Sequence, residues 1–160
     1  MPTTTYTPLA TYTGTTSLLT FSSINQSYRD LICLCNIKMT SGTSQLMIQI
    51  NGLTTNYQVV SAEGNGTTTS SSGATSTDGF YDAYVTASLN STNYSPVRIE
   101  IFDYSTTDRK KVALIRSGES TTGISMTASS NATTSAITSF VVKPVGGTLT
   151  GTFTLYGIAA

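Results

Sequence analysis

"GTFTLYGIAA", residues 151–160, has the alternation of a β-strand. Phe153 and Leu155 fall on one side of such a strand and Thr154 and Tyr156 on the other, because successive side chains point to opposite faces. The alternation continues through Ile158 without a polar break. In an antiparallel sheet a strand of this kind pairs on both sides and ends where its hydrogen bonds end. We therefore expect the last segment to be an interior strand.

Similar segments occur along the rest of the chain. "DLICLCNIKM" (30–39) is apolar at nearly every position, which predicts a strand covered on both faces. "QLMIQING" (45–52), "GFYDAYVTASL" (79–89) and "SPVRIEIFDY" (95–104) alternate with a period of two. Such segments recur about every ten residues without a helical period, as in β-sandwiches and jelly rolls. We therefore predict an all-β fold: an antiparallel two-sheet sandwich, jelly-roll-like, with about eight to nine strands.

The first residues differ from this pattern. Residues 1–13 are expected to form an extended N-terminal arm, because Pro8 is unsuited to a central strand, and residues 14–160 a single β-sandwich domain. Tyr6, Leu9 and Tyr12 are spaced three apart, which fits neither strand alternation nor a helix containing a proline. A free arm would leave these side chains in water. We therefore predict that they contact another subunit or another protein surface.

The composition excludes several classes of partner. Only 10% of the 160 residues are charged, and the formal net charge is zero. Such a surface cannot attract nucleic acid or an anionic membrane electrostatically. No stretch approaches the ~18 apolar residues of a membrane-spanning helix, and "MPTTTYTPLATYTG" (1–14) lacks the features of a signal peptide. Near-zero net charge does little to prevent self-association.

The sequence contains no set of residues typical of an enzyme. There is no histidine, which excludes Ser/His/Asp and Cys/His nucleophiles. Asp78 with Asp82, and Asp103 with Asp108, are the close carboxylate pairs, and they lie beside turns without calcium-loop spacing. We expect no catalytic residues, no metal and no cofactor.

Cys33 and Cys35 lie two residues apart and so point to one face of a strand. A disulfide between them would be strained, and without histidine or a second cysteine pair a metal site is not expected. We predict two small buried side chains with free thiols, which suits folding in a reducing cytosol.

Three segments of the sequence are rich in polar residues. "AEGNGTTTSSSGATSTD" (62–78) has no large apolar residue and is predicted to be a long mobile loop, with a turn at "EGNG" (63–66). "DRKK" (108–111) is predicted to be a solvated hairpin tip, with a docking contact as the alternative. "GISMTASSNATTS" (123–135) is expected to be half loop.

Four longer stretches resemble, in the same order, a family of tailed-bacteriophage virion accessory proteins. They are "LATYTGTTSLLTFSSINQSYRDLICLCNI" (9–37), "QINGLTTNYQVV" (49–60), "SPVRIEIFDYSTTDRKKVALIRSG" (95–118) and "AITSFVVKPVGGTLTGTFTLYGIAA" (136–160). The shared motifs are "TFSSI" before "Y.DL", "NG" before "NY", and "TFTLYGI". The resemblance spans most of the chain, fails mainly across residues 62–90, and brings no catalytic residues.

The resemblance implies a β-domain of the virion, either a small capsid decoration (cement) protein or part of a head or tail fibre. The chain has no fibre-shaft repeats, which favours a decoration protein on the capsid surface, made in the host cytoplasm. Its expected partners are the major capsid protein and itself, as a homotrimer whose clustering would raise avidity. Tyr6, Leu9 and Tyr12 would then contact a neighbouring subunit or the capsid. The alternative is a receptor-recognition module that binds host surface saccharide through residues 62–78 and nearby tyrosines.

Overall fold

A computed structural model of the chain describes residues 5–82, 89–119 and 123–159. Within these ranges the chain forms fourteen strands. No helix in the described ranges is long and apolar enough to cross a membrane. Threonine and serine make up about a third of the residues, and β-branched side chains such as threonine fit the pleated surface of a strand.

The strands form a large sheet of eight strands, a small sheet of four, and one isolated pair. Every pairing between them is antiparallel. The large sheet has the order β1 (Tyr6–Thr16), β14 (Leu149–Ile158), β3 (Asp30–Met39), β10 (Ser95–Phe102), β11 (Lys111–Glu119), β12 (Gly123–Asn131), β6 (Tyr57–Gly64), β7 (Thr69–Thr77). The small sheet has the order β2 (Leu19–Phe21), β13 (Phe140–Pro144), β5 (Leu46–Ile50), β8 (Phe80–Tyr81), and the pair is β4 (Thr43–Ser44) with β9 (Leu89–Asn90).

The prediction for the last segment is confirmed. Strand β14 is interior, between β1 and β3, and Phe153 lies opposite both Tyr12 and Cys35. Phe153 and Leu155 are buried on its inner face. The backbone of β14 therefore has partners on both sides through Ile158.

The core lies between the inner faces of the two sheets. The large sheet contributes Cys33, Ile99 and Ile115, and the small sheet contributes Ile48 and Phe140, each at most 1% exposed. The predicted all-β, antiparallel two-sheet sandwich is therefore confirmed. The structure has more strands than the sequence pattern resolved, since four of them contain only two or three residues. Such strands are too short to show a period. Of the predicted strand 79–89, residues 83–88 lie outside the described ranges.

Strand β3 is covered on both faces only in its first half. Leu31, Ile32 and Cys33 are buried, whereas Leu34 on the outer face is 40% exposed. The expectation of a fully covered strand is therefore wrong beyond Cys33. The apolar side chain of Leu34 shows that an apolar residue in a strand is not necessarily covered by a second layer.

The expected arm is instead an edge strand. Residues 6–16 pair with β14 across the proposed boundary at residue 13, and residues 1–4 lie outside the described ranges. Pro8 is tolerated because β1 is at the edge of the sheet, and the register shifts between Pro8 and Ala10. This shift also explains the irregular spacing of Tyr6, Leu9 and Tyr12.

The predicted loop 62–78 is wrong, because most of it is strand. Strands β6 and β7 form a hairpin from Tyr57 to Thr77, and only residues 65–68 connect them. Asn65 Oδ1 accepts hydrogen bonds from the Thr67 and Thr68 amides, so the turn is at residues 65–68 and begins two residues after the predicted turn at 63–66. An edge strand can be polar on its exposed side, so the lack of large apolar residues did not exclude one.

Candidate functional site

The candidate site is on the outer face of the large sheet, where β11, β12 and β6 lie side by side. Val60, Leu114, Ile124 and Met126 are 64%, 38%, 65% and 60% exposed. We call the surface formed by Val60, Ala62, Leu114, Ile124, Met126 and Ala128 the apolar face. Soluble monomers rarely expose large contiguous apolar patches unless these are interaction sites.

The apolar face results from an inverted strand. In β12, Ile124, Met126 and Ala128 point outward, whereas Ser125 and Thr127 point inward and are buried. Pairing fixes this arrangement, because β12 is hydrogen-bonded to β11 and β6 along its whole length. Residues 132–135 lie outside the strand, so the loop part of segment 123–135 is shorter than the predicted half. A two-sheet sandwich normally places its apolar side chains inward, and β12 does the reverse.

Hydrogen bonds satisfy most hydroxyl groups on the inner side of β12 and β6, whereas the buried Ser129 Oγ has no hydrogen-bond partner. Ser125 and Thr127 donate to the carbonyl oxygen of Asp82, at 2.6 and 3.0 Å. Ser61 donates to Glu63 at 3.0 Å. Buried hydroxyl groups are costly unless they find such partners. These bonds therefore hold the serine and threonine side chains inward and leave the apolar side chains outward.

Cross-strand pairing gives the apolar face its shape. Val60 lies opposite Ala128, and Ala128 lies opposite Leu114, so a small side chain separates two larger ones. Met126 lies opposite Ala62 on one side and Arg116 on the other. The result is a shallow depression of about 390 Å³ with mainly apolar walls. A protruding apolar side chain of a protein partner would fit it.

A group of three charged residues borders the apolar face. Glu100 accepts hydrogen bonds from Arg98 and from Arg116, the latter at 2.7 Å. Glu100 is 8% exposed, whereas the arginine side chains are 40% and 49% exposed. Burial acts to lower the pKa of Arg98, but hydrogen bonds with Tyr6 and Glu100 outweigh it and raise that pKa. Two cations share one carboxylate, so this border carries one excess positive charge.

The contact residues predicted from the sequence lie elsewhere. Tyr12 packs its ring on Phe153, with centroids 6.1 Å apart, and its hydroxyl donates to the Thr15 carbonyl. Leu9 packs against the core and lines a cleft of about 430 Å³ between β1 and β2. These two side chains therefore contact their own subunit. Tyr6 stays 43% exposed on the edge strand, with its ring against Tyr156.

The two carboxylate pairs have local roles in the structure. Arg109 forms ion pairs with both Asp103 and Asp108, and its hydrogen bond to Asp108 lowers the pKa of that carboxyl group to about 2. Asp78 accepts a hydrogen bond from the Tyr81 hydroxyl, and buried Asp82 accepts one from the Leu46 amide. Within the described ranges no cluster of three or more potential metal ligands occurs.

Lys111 is not part of a solvated tip, so the prediction for residues 108–111 is wrong at this position. Its side chain is fully buried, and Nζ donates to the carbonyl oxygens of Asp103 and Thr106 at 3.0 and 2.6 Å. Burial lowers the pKa of Lys111 despite the nearby aspartates. The ammonium group holds the turn at residues 103–106, where Asp103 has a φ of 46°.

The cysteines are buried with free thiols, as predicted. Cys33 Sγ and Cys35 Sγ are 3.7 Å apart on the inner face of β3. A hydrogen bond with Cys33, together with burial, raises the pKa of Cys35 well above its usual value. A thiol in this environment is a poor nucleophile.

No protein-family model matches the chain, and no curated protein matches it. Among solved structures, the crystal structure of Caenorhabditis elegans galectin LEC-6 is similar, with a TM-score of 0.44 and 8% sequence identity. The similarity covers 91% of this chain and 94% of that one.

Proposed function

We propose that this protein is a structural virion protein that decorates an assembled bacteriophage capsid and stabilises it. The observation that carries the proposal is the apolar face, on which Val60, Ile124 and Met126 are each at least 60% exposed. The sequence resemblance to phage virion proteins supports a capsid as the surface it binds. On this proposal the protein acts by binding alone, without catalysis or a cofactor.

The chemistry of the apolar face favours a protein partner over a saccharide. Its exposed side chains are aliphatic, and the depression beside Ala128 has mainly apolar walls. A sugar carries many hydroxyl groups, which lose their hydrogen bonds with water on an aliphatic surface. An apolar side chain of a capsid subunit gains free energy there, about 25 cal/mol for each Å² removed from water.

The charged border suggests which part of a capsid subunit would be recognised. Arg98 and Arg116 share Glu100 and keep their guanidinium groups partly exposed beside the apolar face. A carboxylate on the capsid subunit, next to an apolar knob, would complement this border. Charges at the rim of an interface mainly affect specificity and association rate. Binding should therefore weaken moderately in high salt while the apolar contact remains.

Capsid stabilisation follows from thermodynamic linkage. A protein that binds only the assembled shell stabilises it by RT ln(1 + [L]/Kd) per site. Several copies joined together would bind with higher avidity than one copy. The shell would then resist heat or internal pressure because its dissociation requires the loss of these contacts.

The direct test is binding to purified capsids of the phage that encodes the protein. We expect wild-type protein to co-sediment with capsids, and Met126→Glu to lose at least tenfold in affinity. Val145→Glu is the matched control, since Val145 is also an exposed apolar residue, at 54%, but is outside the apolar face. Equal binding by both variants would show that the apolar face is not the contact. Binding of wild-type protein to tail tips instead of capsids would contradict the decoration role.

A second candidate function is saccharide recognition on a fibre, and Tyr94 is the observation that favours it. Its ring is 49% exposed, and Lys38 Nζ lies 5.1 Å from the ring centroid. Exposed aromatic rings with a polar neighbour suit binding sites. If this candidate is correct, Tyr94→Ala should abolish binding to host-cell glycans, whereas Met126→Glu should not affect it.

A further inference from the structure

We propose that β7 pairs edge to edge with β7 of a second copy of this chain, as a two-fold antiparallel dimer. Strand β7 ends the large sheet, so among residues 5–82, 89–119 and 123–159 no strand of this sheet neighbours its outer side. This inference does not depend on capsid binding. It concerns a surface that the proposed function does not use.

The composition of β7 makes it an open edge. Natural proteins protect exposed edge strands with proline, lysine, bulges or a covering segment. Strand β7 (Thr69–Thr77, TSSSGATST) contains neither proline nor a charged residue over nine positions. Its pairing with β6 is regular from Gly64 opposite Thr69 to Gln58 opposite Thr75. The register then shifts between Tyr57 and Gln58, so residues 69–75 are the regular part of the edge. This part is uncharged and rich in hydroxyl side chains that pair well across strands.

The opposite edge of the large sheet is protected. In β1, Pro8 has no amide hydrogen to donate, and the register shifts between Pro8 and Ala10. The Tyr12 hydroxyl also donates to the Thr15 carbonyl at 3.0 Å, so a side chain of the same subunit occupies that acceptor. Both edges contain a shift of register, but in β1 it lies within the strand beside a proline, whereas in β7 it lies at the end of the strand and leaves residues 69–75 regular.

A second copy is the occupant that fits this edge. Two identical antiparallel strands related by a two-fold axis can pair over their full length. Pairing centred on Gly73 places Ser71 opposite Thr75 of the partner copy and uses residues 71–75, which lie within the regular part of the strand. Uncharged strands can meet in this way without repulsion between like charges.

Pairing would also enlarge the apolar face. Strand β6 is adjacent to β7, and Val60 lies opposite Gly73. In the paired sheet the two β6 strands are three strand spacings apart, about 14 Å. The apolar faces of both copies then form one continuous surface, on a two-fold dimer rather than the trimer expected from the sequence.

Variants that introduce charges of one sign into β7 test the proposal. Ser71 and Thr75 are both exposed on the outer face. The variant Ser71→Lys/Thr75→Lys places like charges opposite each other, and Ser71→Glu/Thr75→Glu does the same with acids. We expect sedimentation velocity to show wild-type protein at twice the 16.8 kDa of one chain and each variant at that single-chain mass. An equimolar mixture of the two variants should recover the doubled mass. Circular dichroism checks that each variant is folded.

The other outcomes would overturn the proposal. Wild-type protein that stays at one chain mass at all concentrations shows that the edge does not pair. A dimer that both variants leave intact uses another surface. The lysine variant can also be mixed with Thr11→Glu/Thr13→Glu, which carries acids on β1. If this mixture recovers the doubled mass and the mixture with the β7 glutamate variant does not, then β7 pairs with β1 of the second copy.

Discussion

Val60 lies directly opposite Ala128 in the pairing of β6 with β12, and both side chains point away from the core. The neighbouring residues Val59 and Ser129 point inward and are 1% and 3% exposed. The same two strands therefore bury a serine and expose a valine. This inversion distinguishes the β6–β12 region from the β3–β10 region, where Cys33 and Ile99 lie opposite each other in the core.

Because of this inversion, we expect mutations of two isoleucines on neighbouring strands to change the free energy of unfolding by different amounts. Ile115 on β11 is fully buried, and Ile124 on β12 is 65% exposed. We expect Ile115→Ala to lower the free energy of unfolding by about 2–5 kcal/mol and Ile124→Ala to change it by less than about 0.5 kcal/mol. Urea unfolding followed by fluorescence or circular dichroism gives both values. A large loss for Ile124→Ala would mean that its side chain is packed, and the apolar face would then be part of the core.

The core strands could be predicted from the sequence because period and burial agree there. In β14 the large apolar side chains Phe153 and Leu155 are two residues apart and both buried, and the antiparallel sandwich follows from such patterns. In β5 Leu46, Ile48 and Ile50 also alternate, although all five residues of that strand are buried. The edge strand β1 was obscured by Pro8 and the shift of register at Leu9. Strand β7 gives no apolar pattern in the sequence, because backbone pairing rather than apolar side chains defines it.

The candidate site could not be predicted for a different reason. The alternation of Ile124 and Met126 with Ser125 and Thr127 is visible in the sequence, but alternation does not show which side faces the core. That choice depends on Asp82, whose carbonyl accepts from Ser125 and Thr127 across the sandwich. Asp82 is more than forty residues away from Ser125 and Thr127 in the sequence, so no local sequence pattern indicates this contact.

The buried Lys111 should make stability depend on alkaline pH. Burial lowers its pKa in the folded protein below the usual 10.5. Between the lowered value and 10.5 the unfolded chain binds more protons than the folded one, so stability should rise with pH through that interval. We expect the free energy of unfolding of wild-type protein, relative to Lys111→Met, to increase across this interval and to be constant below it.

The Lys111→Met variant also measures how much the hydrogen bonds of Lys111 contribute to the free energy of unfolding. The carbonyl oxygens of Asp103 and Thr106 lose their donor in Lys111→Met. We expect a loss of about 1–3 kcal/mol at neutral pH, the usual cost of leaving buried polar groups unsatisfied. Lys110→Met is the control, because Lys110 is exposed in the same turn. Equal pH profiles for wild type and Lys111→Met would show that Lys111 titrates normally.

Removal of β7 should destabilise the protein, contrary to what a mobile loop would predict. Replacing residues 66–76 with a short glycine-serine link removes the strand paired with β6 and the hydrogen bond between Ser61 and Ser72. We expect the melting temperature to fall by at least about 2–4 °C, the shift that 1 kcal/mol produces in a domain of this size. Calorimetry measures it. An unchanged melting temperature would restore the interpretation of this segment as a loop.

Two tyrosines on β1 test whether this strand belongs to the subunit. Tyr12 packs on Phe153 and borders the core, whereas Tyr6 is 43% exposed and touches Tyr156 at the strand end. Because Tyr12→Ala removes an aromatic pair and uncovers part of the core, we expect it to cost about 1–3 kcal/mol, and Tyr6→Ala less than about 1 kcal/mol. Chemical unfolding at several protein concentrations measures both costs and separates them from effects on association. If Tyr12→Ala instead lowers the oligomer mass and leaves the stability of the subunit unchanged, then Tyr12 is an intersubunit contact, and β1 is held by a neighbouring copy rather than by β14.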